Sequence, residues 1–182
     1  MKMPKNFHVI GKNVLIRAEL EANEYEGGIV VPDNCLVHDW VAEVVQTGSK
    51  CEKLCKGDSV LYSKEYAVVP FNESQEYRII KEDKLYAKLV KFDGDDYESI
   101  LPLFGWVLCK PDSVIRKVGL IHLPDKKQKK IFHAVIKRLG PQANKMFHVE
   151  QSVYFDTSVA LMCVENDENV CIISMHDIPL MR

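Results

Sequence analysis

An all-β fold of two small barrels in tandem is what this sequence predicts, and three observations carry the prediction. The chain repeats itself at an offset of 92 residues, its apolar segments are short and alternate with period two, and no stretch holds an amphipathic pattern long enough for a helix. At 182 residues with 47% hydrophobic and 27% charged content, there is room for two modest cores.

The repeat is carried by turn residues. Gly27, Ile29, Pro32, Asp33, Ala42 and Gly48 fall without a gap on Gly119, Ile121, Pro124, Asp125, Ala134 and Gly140. In the same register Val14, Leu15 and Ile16 fall on Trp106, Val107 and Leu108, and Trp40 and Val44 on Phe132 and Ile136. One inserted residue later, Ser59 and Val60 meet Ser152 and Val153, Tyr62 meets Phe155, Ile79 and Ile80 meet Ile172 and Ile173, and Leu85 meets Ile178.

Each element follows from composition. In the first copy NVLIRAE, WVAEVVQ, DSVLYS and EYRII are β-branched or aromatic and alternate, as do GWVLCKP, FHAVIKR, SVYFD and VCIIS in the second. WVAEVVQ is apolar on both faces, which suits a barrel strand also covered outside. Between the copies KFDGDDYES reads as a solvated linker, so the domains are expected at 1–92 and 99–182 with a boundary inside residues 91–99.

Several function classes are excluded at this level. A formal charge of −2 gives no field for nucleic acid or an anionic membrane, and no run of eighteen apolar residues could span a bilayer. The N-terminus MKMPKNFHVIGKN lacks a signal-peptide core, so a cytoplasmic protein is expected. The six cysteines lack paired zinc spacing and are expected as reduced thiols, with no metal at Cys51 and Cys55. The histidines show no ligand or protease spacing, and there is no glycine-rich phosphate loop or nucleophile elbow. The expectation is therefore no enzyme, no catalytic residue and no cofactor. The lysines of KKQKK at 126–130 read as a solvated edge rather than a phosphate site, because no aromatic platform interleaves them.

The order of motifs resembles the GroES (chaperonin-10) co-chaperonin family, twice over. GGIVVPDN followed by WVAEVVQTG, and VGLIHLPDK followed by FHAVIKRLG, are similar to the family's mobile loop and the strand after it. CKGDSVLYS and EYRIIKEDKLYAKL are similar to its later strands, with Lys56, Gly57, Asp58, Glu76, Tyr77, Asp83 and Leu85 at matching places. The second copy is more divergent: HVEQSVYFD lacks the Gly-Asp turn. Between Gly48 and Gly57, and between Gly140 and Gln151, both copies are too short for the hairpin that roofs the bacterial dome, which is similar to phage-encoded members.

The resemblance implies a partner and a site. The partner is a chaperonin-60 (GroEL-like) ring that hydrolyses ATP, with unfolded proteins as clients and a homo-heptamer as the working assembly. The first mobile loop, about residues 22–38, would dock through Gly27, Gly28, Ile29, Val30, Val31 and Pro32. The second would use Leu120, Ile121, His122 and Leu123, with Leu120 in place of the second glycine. Two alternatives stay open: Ile29 to Val31 as a buried barrel strand, and the whole chain as a GroES-like structural or assembly protein of a virion. If viral, it would work in the host cytoplasm. A medium-chain dehydrogenase is disfavoured because no dinucleotide-binding glycine motif follows and no zinc-ligand set is present.

Overall fold

The computed structural model describes residues 7–18, 41–68, 77–91, 97–111, 131–166 and 168–179. These form eleven strands and short 3-10 turns, with no α-helix among the described residues. The chain divides into two compact units, Met1–Leu89 and Val90–Arg182.

In the first unit β1 (Asn13–Ala18), β2 (Val41–Thr47), β3 (Ser59–Leu61), β4 (Tyr77–Lys81) and β5 (Ala87–Lys91) form an antiparallel sheet in the order β4-β1-β2-β3-β5. Val14, Leu15 and Ile16 of β1 are all fully buried, which accounts for the unbroken apolar run VLI. Ala42 and Val44 alternate with half-buried neighbours along β2, and Val60, Tyr62, Ile80 and Leu85 complete the core.

The second unit contains β6 (Tyr97–Pro102), β7 (Trp106–Pro111), β8 (Ile131–Leu139), β9 (Ser152–Asp156), β10 (Leu161–Glu165) and β11 (Glu168–Ser174). Its sheet runs β10-β11-β7-β8-β9. Val153 and Phe155 of β9 share one buried cluster with Cys171 and Ile173 of β11, although β7 and β8 lie between those strands. Three strand spacings span about 14 Å in a flat sheet, so the sheet must curl around its contents, as a small barrel does. Tyr97, Glu98 and Ser99, which read in sequence as the end of a linker, already belong to β6, whose Ile100 is 1% exposed.

Cross-strand register makes the internal repeat explicit and corrects part of it. Val14 pairs with Ile80 and Val107 with Ile173, so Val14 corresponds to Val107, an offset of 93 rather than 92. The bulge between Leu15 and Ile16 likewise reappears between Leu108 and Cys109. The ungapped slide set Val14 on Trp106, which would reverse the faces of the whole strand, because strand side chains alternate with period two. In β2 and β8 the offset is 92, with Ala42 on Ala134 and Val44 on Ile136, and it returns to 93 for Val60 on Val153. Two single-residue gaps of opposite sense therefore lie between these strands, one before β2 and one after it, where the apolar pattern has no period to reveal them.

Two glycines of the repeat are required by close approach. A Cβ on Gly48 would lie 2.3 Å from the Gly11 carbonyl oxygen, and one on Gly140 would lie 2.4 Å from that of Phe104. In each unit the glycine N–H also donates into the first hairpin, from Gly48 to Asn13 at 2.9 Å and from Gly140 to Trp106 at 2.8 Å.

The Gly-Asp turn that the second copy lacks in sequence survives there in geometry. Gly57 adopts φ 91° and donates to the Val44 carbonyl at 2.8 Å, while Glu150 adopts φ 68° and donates to Ile136 at 2.9 Å. The Asp58 carboxylate accepts from the Cys55 N–H at 2.8 Å, and the Gln151 side-chain oxygen accepts from the His148 N–H at 3.0 Å. A side-chain acceptor three residues along holds the turn in both, so Gln serves where Asp does. The left-handed backbone costs a non-glycine residue about 1–2 kcal/mol. Glu150→Gly is therefore expected to raise the stability of the second unit by about 1 kcal/mol, read as a higher urea midpoint. No strand forms between Gly48 and Asp58 or between Gly140 and Gln151, in keeping with the shortness of both segments.

Candidate functional site

The ten residues that the sequence nominates for docking, Gly27, Gly28, Ile29, Val30, Val31, Pro32, Leu120, Ile121, His122 and Leu123, lie outside the described residues. Their neighbours in the ladders are described. The last described pair of the β1–β2 ladder is Ala18 and Ala42, with Arg17 opposite Glu43 one rung before it. The Arg17 guanidinium reaches the Glu43 carboxylate at 2.5 Å, and both side chains are about half exposed, at 52% and 44%.

The same rungs in the second unit have different chemistry. The last described pair of β7 and β8 on that side is Pro111 and Ala134, and Lys110 sits opposite Val135. With no acid across from it, the Lys110 amine pairs instead with Glu168 of β11 at 2.9 Å. Glu168 also accepts from Lys137 at 3.0 Å, and Lys137 reaches Glu165 at 3.2 Å.

Glu165 is the deepest member of this network, 1% exposed at the end of β10. It accepts the Ile100 N–H at 2.8 Å and a hydrogen bond from the Arg138 guanidinium. Burial by itself would raise its pKa, but the Ile100 N–H, Arg138 and Lys137 together outweigh burial and hold the carboxyl below the usual range. The carboxylate thereby ties β6, β8 and β10 together. In the first unit a comparable role falls to Glu82, 2% exposed, which accepts the Glu52 and Lys53 N–H groups at 3.0 and 2.8 Å and pins the turn after β2.

Nothing among the described residues supports covalent chemistry. The five described cysteines are free, and Cys35 lies outside them. Burial raises the pKa of Cys51 and pushes Cys163 up to about 12, while the hydrogen bond of the Cys109 thiol with Cys171, then burial, raises the pKa of Cys109. These thiols stay protonated at neutral pH and are poor nucleophiles. No group of three or more His, Cys, Asp or Glu among the described residues could hold a metal, and no helix among them is long and apolar enough to cross a membrane.

Sequence reasoning missed Arg17, Glu43, Glu82 and Glu165. Arg17 and Glu43 stood inside recognised strands, but their pairing depends on a bulge that shifts register by one residue. Glu165 stood in LMCVE, a segment whose strand character was not recognised.

Comparison with known proteins agrees with the architecture. Residues 6–89 match the family model described as the chaperonin 10 Kd subunit, and these residues fall within the first unit. Co-chaperonin GroES of Kosmotoga olearia is 32% identical over 82 residues, covering 44% of this chain and 92% of the relative. Co-chaperonin GroES of Campylobacter hominis is 36% identical over 59 residues, covering 32% of this chain and 68% of the relative. That of Campylobacter jejuni subsp. doylei is 26% identical over 80 residues, covering 44% and 93%. With that identity across nearly the full length of a single-unit relative, and the fold to match, this chain belongs to the chaperonin 10 (GroES) family.

Proposed function

We propose that this chain is a co-chaperonin: it caps a chaperonin-60 ring in the cytoplasm and closes a chamber in which unfolded client proteins fold. It catalyses nothing and binds no nucleotide, since ATP is hydrolysed by the partner. The observation that carries this reading is the position of GGIVVP, inside the family-matched residues 6–89 and, in sequence, between the paired strands β1 and β2.

In this reading the segment at about 22–38 is the mobile loop, and Ile29, Val30 and Val31 enter an apolar groove on the partner. Burying such side chains contributes about 1.5–3 kcal/mol each. Ordering the backbone costs about 1–2 kcal/mol per residue, so a single loop binds weakly. A ring of seven chains turns seven weak attachments into a firm but reversible one. Gly27 and Gly28 give the backbone freedom to adapt, and Pro32 ends the docked edge. Leu120, Ile121, His122 and Leu123 form a second, stiffer segment that contributes less.

Co-sedimentation of the purified chain with a chaperonin-60 ring, with and without ATP, tests the proposal. Nucleotide-dependent binding with protection of residues 27–34 from protease is the expected result. A chain that never sediments with the ring, and whose 27–34 segment resists protease by itself, sinks it.

A further inference from the structure

We infer that Arg17 and Glu43 are positioning residues, a charge clasp at the root of the first docking segment that sets how tightly that segment attaches. The inference rests on the co-chaperonin reading. The two residues are directly opposed cross-strand partners, one rung before the last described pair, Ala18 and Ala42, on the strands that flank residues 22–38 in sequence. Their charged ends meet at 2.5 Å outside the core, so the pair can be altered without opening a cavity. Directly opposed opposite charges favour a β rung, and like charges there disfavour it.

The second unit serves as an internal comparison. Its backbone register around the corresponding rung is the same, yet Val135 stands where Glu43 stands, and Lys110 turns toward Glu168 on β11. The clasp is therefore not demanded by the fold, which forms without it. It occurs in the copy that carries the Gly-Gly pair and is absent from the copy with Leu120.

The physical effect is on the ordering cost of attachment. Where the rung holds, Arg17, Ala18, Ala42 and Glu43 are ordered before the partner arrives. Where it frays, their backbone must be ordered at the moment of docking, and affinity falls. An exposed pair is worth only about a 1.5- to 5-fold change in an equilibrium. Losses at several loops of one ring multiply, so the ring as a whole feels a change that one loop barely would.

The test is a charge-reversal cycle on the full chain, with affinity for a purified bacterial chaperonin-60 ring measured in ADP and melting followed in parallel. Arg17→Glu and Glu43→Arg are each expected to weaken attachment more than tenfold, and the double variant to recover to within about threefold of wild type. If a single reversal unfolds the unit at the assay temperature, Arg17→Gln and Glu43→Gln remove the attraction without adding repulsion and are expected to weaken attachment severalfold. Wild-type affinity in the single variants overturns the inference, as does a double variant no better than the singles. Failure of the wild-type chain itself to attach overturns the co-chaperonin reading, a result separate from either.

Discussion

Replacing both Ile29 and Val31 with serine is expected to abolish attachment to a chaperonin-60 ring while the first unit melts as before. Each substitution removes an apolar side chain whose burial contributes about 1.5–3 kcal/mol, so a single loop loses 100-fold or more in affinity. Repeated round a ring, that loss leaves no measurable complex. Among the described residues Val14, Leu15, Ile16, Val44, Val60, Tyr62 and Leu85 are fully buried in the first unit, and melting reads whether Ile29 and Val31 belong with them. Sedimentation with the ring and thermal melting are read on the same preparation. A collapse of the melting transition would instead identify Ile29 to Val31 as a buried strand, and the docking role would fall with it.

The largest effect on stability is expected at Glu165. Glu165→Gln keeps the size of the side chain but removes the charge that Arg138 and Lys137 face, and it weakens the acceptor for the Ile100 N–H. Breaking a buried pair by removing one partner costs about 3–5 kcal/mol. Arg138 and Lys137 keep 36% and 28% of their side-chain surface in solvent, which lessens the penalty of leaving them unpaired. A loss of about 2–3 kcal/mol from the second unit is therefore expected in urea unfolding.

The same carboxylate gives that unit an acid limb. Its folded pKa lies below the ordinary value, so between the two the unfolded chain holds a proton that the folded chain does not. The stabilisation is complete above the unfolded pKa of about 4.3 and disappears as pH falls through the lower folded value. Glu168, held down by Lys110 and Lys137, acts in the same direction from a more exposed position. Stability measured from pH 6 to pH 3 should fall less steeply in Glu165→Gln than in wild type. An unchanged slope would mean that Glu165 does not carry the acid sensitivity.

Much of the fold was legible because its cues are local. Period-two alternation in FHAVIKR and SVYFD marked β8 and β9, the apolar run of NVLIRAE marked β1, and glycines that a Cβ would drive into backbone marked the turns at Gly48 and Gly140. The segments AKLVK, YESILP and LMCVE were not recognised as strands, since each mixes charges with apolar residues and sits beside a linker or turn. The candidate site was legible only as a motif between two strands. Its charge clasp depends on which residue faces which across a bulge.

The sequence by itself determined the fold class, the duplication and the position of the GGIVVP motif, because repetition, periodicity and turn residues act between near neighbours in the chain. Tertiary structure decided the true register of the repeat, the retention of the Gly57 turn at Glu150 with Gln151 in place of Asp58, and the partners of Arg17 and Glu165. Those depend on pairings between residues 26 or more positions apart, such as Arg17 with Glu43 and Ile100 with Glu165, or on a backbone torsion that no residue type dictates. A one-residue gap, invisible in composition, reverses every side chain of a strand, so only the assembled ladder could settle it.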